Sequence, residues 1–148
     1  SPEPNLMGGK PYEKAEVRRL VAWFDRKFHQ EVTDMLVNEK VMKRFLGLGE
    51  PDSRIIRAAQ QNIHTHLDYI TFLTDRRHWL AGEMMTLADI AAAAHLSALD
   101  YLGDVPWSEH KSAKHWYARI KSRPSLRPIL SDAIPGLPAP NHYSNLDF

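Results

Sequence analysis

The sequence contains no cysteine, and this absence excludes several kinds of chemistry. Disulfides, thiolate catalysis, iron–sulfur clusters and cysteine-ligated zinc all need the missing side chain, and its lack fits a reducing, cytoplasmic location. Neither charge sign dominates, because 19 lysine and arginine residues face 18 aspartate and glutamate residues. We therefore expect neither nucleic acid nor an anionic membrane surface as a partner. No apolar run approaches the ~20 residues of a membrane span, so no membrane insertion is expected.

The apolar residues that are present recur at helical spacing. Steps of three and four between Tyr12 and Phe45 predict one face of a long helix. A similar stripe over residues 56–73 predicts a second helix, which pairs with the first as an antiparallel hairpin. Pro51 is expected in the first turn of that second helix. The first stripe comprises Val17, Leu20, Val21, Phe24, Phe28, Val32, Met35 and Leu36.

A third helix begins with a capping sequence. Thr86 is expected at its N-cap, and Asp89 stands three residues later, which is the spacing of a capping box. The helix is apolar on nearly all sides up to Leu102, so it is predicted to be buried at the centre of the domain. Two shorter helices are predicted over residues 109–122 and 124–132. The fold class is therefore all-α, a bundle of about five helices built from a long antiparallel hairpin and a buried central helix.

Composition divides the chain into three parts. Residues 1–11 are rich in proline and glycine and are predicted to be a linker, residues 12–133 form the helical domain, and residues 134–148 form an extended tail. The tail carries apolar side chains that are costly to expose without a purpose. They either fold back onto the domain or form a short recognition motif, and the two are compatible. The candidate partner-binding residues of the tail are His142, Tyr143, Leu146, Asp147 and Phe148.

The chain offers no convincing catalytic or metal-binding motif. Among its eight histidines, His64 and His66 lie two residues apart on a helix and point to different faces, which is poor spacing for a shared metal. His95 is better explained as a hydrogen-bonded core residue. Asp89 is a carboxylate at a helix start, but its spacing from Thr86 accounts for it as a structural cap. We therefore assign no catalytic residue and no metal ligand.

Trp23 is the more informative candidate. Glu16, Arg19, Trp23 and Lys27 share one stripe of the first helix, beside the core stripe. A tryptophan among charged neighbours is either a partly exposed anchor or the lining of a substrate or partner pocket. It could equally be a rim residue that covers the edge of the core, and the sequence leaves these alternatives open.

Two motifs in the second half of the chain resemble the C-terminal domain of glutathione S-transferases. One is the run from Trp79-Leu80-Ala81-Gly82 to Thr86-Leu87-Ala88-Asp89, which leads into the alanine-rich helix. The other is Trp116-Tyr117-x-Arg119-x-x-x-Arg123-Pro124-Ser125, which resembles the closing pattern of that domain. The segment from Pro2 to Gly8 is similar to the linker between the two domains of that family. The resemblance covers residues 1 to about 133 and implies the helical fold predicted above.

A narrower resemblance is to the alphaproteobacterial FtsZ-localised protein A family. It rests on the segment from Ala15 to Asp25, on His95-Leu96-Ser97-Ala98-Leu99-Asp100-Tyr101, and on the ending from His142 to Phe148. That resemblance implies a dimeric regulator of cell constriction that binds FtsZ and is not known for glutathione chemistry. It also implies that the extreme C-terminus signals to the division machinery.

Transferases of this superfamily place their glutathione site in a preceding thioredoxin-like domain. The present sequence begins at the linker, so we expect no cofactor in this chain and glutathione only with that further domain. Two hypotheses follow from the resemblance. The first is a non-catalytic, FtsZ-binding division regulator. The second is the electrophile-site domain of a glutathione transferase, with Trp23 and Arg19 lining the pocket. Both imply a homodimer.

Overall fold

The computed structural model describes residues 5–148, which form five helices joined by short connections. Over this range no strand forms, and the β pairing consists of two isolated bridges, Trp79 to Gly82 and Ile134 to Leu137. The prediction of an all-α bundle with a long hairpin and a buried central helix is confirmed. Residues 1–4, which belong to the predicted linker, lie outside the described residues.

The first helix, α1, runs over residues 11–46 and changes its hydrogen-bond pattern along its length. In two stretches the backbone N–H bonds to the carbonyl five residues earlier, as Asp34 does with His29, which makes them π-helical. The α-helical stretches are Pro11–Ala22, Asp34–Val37 and Lys43–Leu46, and the π-helical stretches are Trp23–Thr33 and Asn38–Met42.

The π turns explain how the apolar stripe of α1 stays on one face. Four steps of four residues separate Leu20 from Leu36, and on a regular α-helix this spacing would turn the two side chains ~160° apart. Both are nevertheless fully buried, as are Phe24, Phe28 and Val32 between them. A π-helical turn holds more residues than an α-helical turn, which keeps these side chains on one face. The predicted long helix with one apolar face is confirmed, and its π-helical stretches were not predicted.

The other helices are shorter and more regular. Asp52 caps α2 because its side chain accepts a hydrogen bond from the Arg54 backbone N–H at 2.9 Å. Pro51 therefore lies before the helix and not in its first turn as predicted. The bounds are Ser53–Arg76 for α2, Leu87–Tyr101 for α3, Lys111–Lys121 for α4 and Arg127–Leu130 for α5, with a 3-10 turn at Trp107–Glu109.

Helix α3 lies at the centre of the bundle. It packs against α1 and α4, and α2 packs against the same two helices from the outside. Ala88, Ala92 and Ala93 are almost fully buried, and their small side chains let the neighbouring helices approach closely. No helix within residues 5–148 combines the length and the apolarity that a bilayer crossing requires.

Candidate functional site

The charged half of the Trp23 stripe forms a compact network. Glu16 accepts hydrogen bonds from Arg19 at 2.6 Å and from Arg77 at 2.8 Å. The two guanidinium groups, Arg19 foremost, lower the pKa of Glu16 to about 2. Arg19 also donates to the hydroxyl of Tyr69 at 2.8 Å. The stripe is therefore fixed to α2 and to the loop that follows it.

Trp23 belongs to a closed ring of contacts. Its indole N–H donates to Nδ1 of the fully buried His66 at 3.1 Å, and its ring lies 4.9 Å from that of Tyr69. The other nitrogen of His66 lies 3.0 Å from Glu31, which accepts from Lys27 at 2.6 Å. The Lys27 ammonium in turn lies 5.6 Å from the Trp23 ring centroid, which closes the ring of contacts. Burial lowers the pKa of His66, which favours the neutral ring that this pattern requires.

These contacts fix the position of the Trp23 side chain. It is half-buried, packs against the core edge and keeps part of its ring at the surface, so it lies at the rim of the core, and its role in a pocket or partner surface stays a prediction. The sequence did not predict that His66 and Tyr69 complete the arrangement. Tyr69, Phe72 and Arg76 recur at steps of three and four on α2, and this spacing is the signal that could have identified a facing stripe.

The C-terminal tail folds back onto α3 and α4. Tyr143 is buried and packs edge-on against Tyr101, with ring centroids 5.1 Å apart. His142 Nε2 lies 2.9 Å from the buried carboxylate of Asp100, and the His142 carbonyl accepts from Lys121 at 2.8 Å. Burial lowers the pKa of Lys121, whose side chain is fully enclosed. The start of the tail is therefore held by two buried polar side chains, those of Asp100 and Lys121.

The end of the tail contacts an aromatic cluster. The ring of Phe148 lies 5.4 Å from that of Trp107 and 5.9 Å from that of Tyr117, edge-on to both. Leu146 is half-buried and Asp147 is exposed. The structure thus places four of the five predicted tail residues against α3, α4 and the 3-10 turn between them, and leaves Asp147 exposed. The Trp23 stripe contacts α2 instead. The two candidate surfaces are separate.

The Thr86–Asp89 pair forms a buried capping box that ties loops to α3. Thr86 Oγ1 accepts from the Ala88 N–H at 3.2 Å, and the Thr86 N–H donates to Asp89 at 2.9 Å. The same carboxylate accepts from the Leu80 N–H at 3.0 Å and from the indole of Trp116 at 2.9 Å. Asp89 is fully buried, and the donors of Thr86, Leu80 and Trp116 bond to its carboxylate, so its role is structural.

Several histidines lie within hydrogen-bond distance of one another or of other polar side chains. His64 and His110 face each other with nitrogens 2.8 Å apart, and His95 bridges Thr33 at 2.9 Å and Asp25 at 3.1 Å. Across residues 5–148, no three histidine, aspartate or glutamate side chains are grouped so that they could hold a metal ion.

Comparison with known proteins identifies the fold family. Residues 37–124 match the family described as "Glutathione S-transferase, C-terminal domain". FtsZ-localized protein A of Caulobacter vibrioides is 53% identical over 146 residues, which are 99% of this chain and 64% of that protein. The structure of FzlA from C. crescentus superposes with a TM-score of 0.96 at 53% identity, covering 99% of this chain and 65% of that one.

The chain is also similar to a solved glutathione S-transferase from Rhodospirillum rubrum. It superposes with a TM-score of 0.96 at 61% identity, over 99% of this chain and 66% of that protein. The chain thus spans about two thirds of the length of these relatives. Because the family match covers more than half of the chain and the folds coincide, the chain belongs to the glutathione S-transferase C-terminal domain family.

Proposed function

We propose that this chain is the helical domain of a cytoplasmic, FtsZ-binding regulator of cell division that does not act as a glutathione transferase. The observation that carries the proposal is the 53% identity to FtsZ-localized protein A over 99% of the chain. An identity of this level over 99% of the chain favours a shared partner more than a shared fold alone does.

Two surfaces are proposed to contact division proteins. The first is the stripe of Glu16, Arg19, Trp23 and Lys27, because tryptophan and arginine are enriched among residues that dominate binding energy. Its hydrogen bonds order the side chains before binding, which reduces the entropy lost on association. The second is the tail, with His142, Tyr143, Leu146, Asp147 and Phe148. We propose that it transmits the signal to other division proteins.

Co-sedimentation of the intact protein with FtsZ polymers tests this proposal. We expect the protein to enter the pellet in proportion to the polymer, and Trp23→Ala to weaken that association. Removal of residues 141–148 is expected to leave association in place while abolishing signalling in cells. A protein that stays in the supernatant at every polymer concentration contradicts the proposal.

A glutathione transferase is the second candidate, supported by the 61% identity to the Rhodospirillum rubrum structure that carries that name. In this case Trp23 and Arg19 would line the electrophile pocket, and glutathione would bind only together with a thioredoxin-like domain. This candidate predicts turnover of a generic electrophile with glutathione by the intact protein, reduced by Trp23→Ala. For either candidate we propose a homodimer, which light scattering on the intact protein tests.

A further inference from the structure

The last eight residues of the tail, 141–148, are held to the domain by side-chain contacts. We call these residues the strap. Within the described part of the chain, the backbone–backbone hydrogen bonds of the strap stay inside the tail, from the Tyr143 N–H to the Pro140 carbonyl and from the Asn145 N–H to the His142 carbonyl. Because these bonds do not reach the helices, the strap can detach without disturbing regular structure, which is typical of segments that open locally.

The segment just before the strap has a firmer attachment. The hydroxyl of Tyr101 donates to the Leu137 carbonyl at 2.6 Å and accepts from the Ile134 N–H at 2.7 Å. This pair of hydrogen bonds fixes the start of the tail to α3. Residues 138–140 therefore form the point at which the strap can turn away from a fixed base.

Lys121 of α4 contacts the strap at two places. Its ammonium donates to the His142 carbonyl at 2.8 Å and lies 4.0 Å from the centroid of the Phe148 ring. The rings of His142 and Phe148 also stack on each other, with centroids 6.3 Å apart and planes 22° apart. A charged donor and a cation over an enclosed ring are among the stronger polar contacts. Lys121 therefore joins both ends of the strap to the domain.

The attached strap carries a cost at Asp100. This carboxylate is fully buried, and its Oδ1 accepts from the Trp107 indole at 2.9 Å and lies 2.9 Å from His142 Nε2. Among the described residues, its other oxygen, Oδ2, is buried without a hydrogen-bond partner, and so is the hydroxyl of Tyr117, whose ring contacts Phe148. Buried polar atoms without partners cost free energy, and water would satisfy them once the strap opens. This cost brings the attached and open states closer in free energy.

The side chains of the strap that suit a partner best are the ones that the domain already binds. Tyr143 is 5% exposed and Phe148 is half-buried, whereas Ser144, Asn145 and Asp147 face the solvent. Tyrosine is enriched, and serine is under-represented, among residues that dominate binding energy. The same aromatic side chain cannot pack against the domain and against a partner at once, so attachment and recognition compete.

We propose that the strap opens reversibly and that a partner protein with a pocket for its aromatic side chains recognises it only when open, so that attachment to α3 and α4 holds the signal back. The inference rests on the proposed function and adds its regulation. The affinity of such a segment for a partner is its intrinsic affinity multiplied by the open fraction. Changes on the domain side that loosen the strap should therefore strengthen recognition, and changes to the aromatic side chains of the strap should weaken it.

A Fab fragment measures the open fraction without any division protein. It is selected on a synthetic peptide of residues 138–148 and must lose binding when Tyr143 or Phe148 of the peptide is replaced by alanine. We expect the intact protein to bind this Fab at least ~10-fold more weakly than the peptide does, since only the open fraction is available. Lys121→Met should raise the affinity of the intact protein ~10-fold, because it removes both contacts of the ammonium. Circular dichroism and urea unfolding establish that the variant is folded.

Two further variants make the test specific. Lys114→Met is the matched control, because the Lys114 ammonium lies 5.0 Å from the Phe148 ring centroid but does not donate to the His142 carbonyl. It is expected to change the Fab affinity far less than Lys121→Met does. His142→Ala removes the contact with Asp100 at a half-buried residue outside the core, which is compatible with folding. Measured against a peptide with the same change, it should narrow the difference between protein and peptide.

The proposal is overturned if the intact protein binds the Fab as tightly as the peptide does, because the strap would then be open already. It is also overturned if neither Lys121→Met nor His142→Ala narrows the difference. In cells, Lys121→Met should strengthen division signalling, read as the rate of constriction, and Phe148→Ala should weaken it. Weaker signalling by both variants would show that the attached form is recognised and would overturn the proposal.

The outcomes separate this inference from the proposed function. Co-sedimentation with FtsZ is expected to be equal for the unaltered protein and for these variants, since the strap lies apart from the Trp23 stripe. A protein that does not co-sediment refutes the FtsZ proposal, whereas the Fab measurements still decide whether the strap opens. Co-sedimentation together with equal Fab affinities for protein and peptide overturns the strap and leaves the FtsZ proposal in place.

Discussion

Replacement of His66 by phenylalanine removes both ring nitrogens and keeps a ring of similar size in the core. The indole N–H of Trp23 then loses its acceptor, and Glu31 loses one donor. We assign ~1 kcal/mol to the first loss, as for a neutral hydrogen bond. A similar ~1 kcal/mol is assigned to the second, because Glu31 is partly exposed and regains water. The expected fall in the free energy of unfolding is ~2 kcal/mol, or about 6 °C in Tm for a domain of this size.

A double-mutant cycle in chemical denaturation isolates the bond between the two rings. Trp23→Phe removes the same hydrogen bond from the other side, so the paired variant should cost ~1 kcal/mol less than the sum of the single ones. His115→Phe, at an exposed histidine, is the control for adding an aromatic ring. Additive costs in the cycle, or a His66→Phe cost no larger than that of the control, would refute the hydrogen-bonded arrangement.

The same variant has a pH signature. Burial lowers the pKa of His66 in the folded protein below its value of about 6.5 in the unfolded chain. The unfolded chain therefore takes up a proton first as the pH falls, so this contribution to stability is complete above pH ~6.5 and is lost as the pH decreases through the folded pKa. The stability of His66→Phe should fall less steeply with acidification than that of the unaltered protein.

Three further predictions concern the other networks. Glu16→Gln should make the free energy of unfolding fall less steeply between pH ~4.5 and ~2 in acid denaturation. The lowered pKa of Glu16 stabilises the folded protein above the ordinary pKa of a glutamate, and this stabilisation is lost as the pH falls toward about 2. The effect should be modest, since the arginines around it are partly exposed. Lys121→Met should increase hydrogen exchange and protease cleavage of the tail, because it removes the donor to the His142 carbonyl. Lys114→Met should not, because Lys114 is a less enclosed lysine that, like Lys121, lies near the ring of Phe148 but does not donate to that carbonyl. Thr86→Ala should lower the free energy of unfolding by ~1 kcal/mol in urea, the usual cost of an N-cap hydroxyl.

The helices of this fold are indicated by local sequence patterns, which is why they could be predicted. The alanine-rich sequence after Asp89 predicts burial of α3 with no knowledge of its neighbours. The spacing of Thr86 and Asp89 is likewise a local signal. The π-helical turns of α1 depend on packing and not on a local pattern. They arise where Phe24, Phe28 and Val32 must all contact the same core.

Contacts between distant positions could not be predicted from one sequence. Trp23 and His66 are 43 positions apart, and Asp100 and His142 are 42 apart. Helical periodicity placed Trp23 beside charged residues but could not name the acceptor of its indole N–H. The tail showed no periodicity, so its attachment to Asp100 and Lys121 became visible only in three dimensions.

The affinity of the intact protein for FtsZ polymers, measured by titration beside that of Trp23→Ala, tests the central claim most directly. The account predicts saturable binding by the unaltered protein and an affinity ~10-fold or more weaker for the variant, as for a dominant interface residue. Binding that does not saturate, or equal affinities for both proteins, would contradict the assignment of this surface to a division partner.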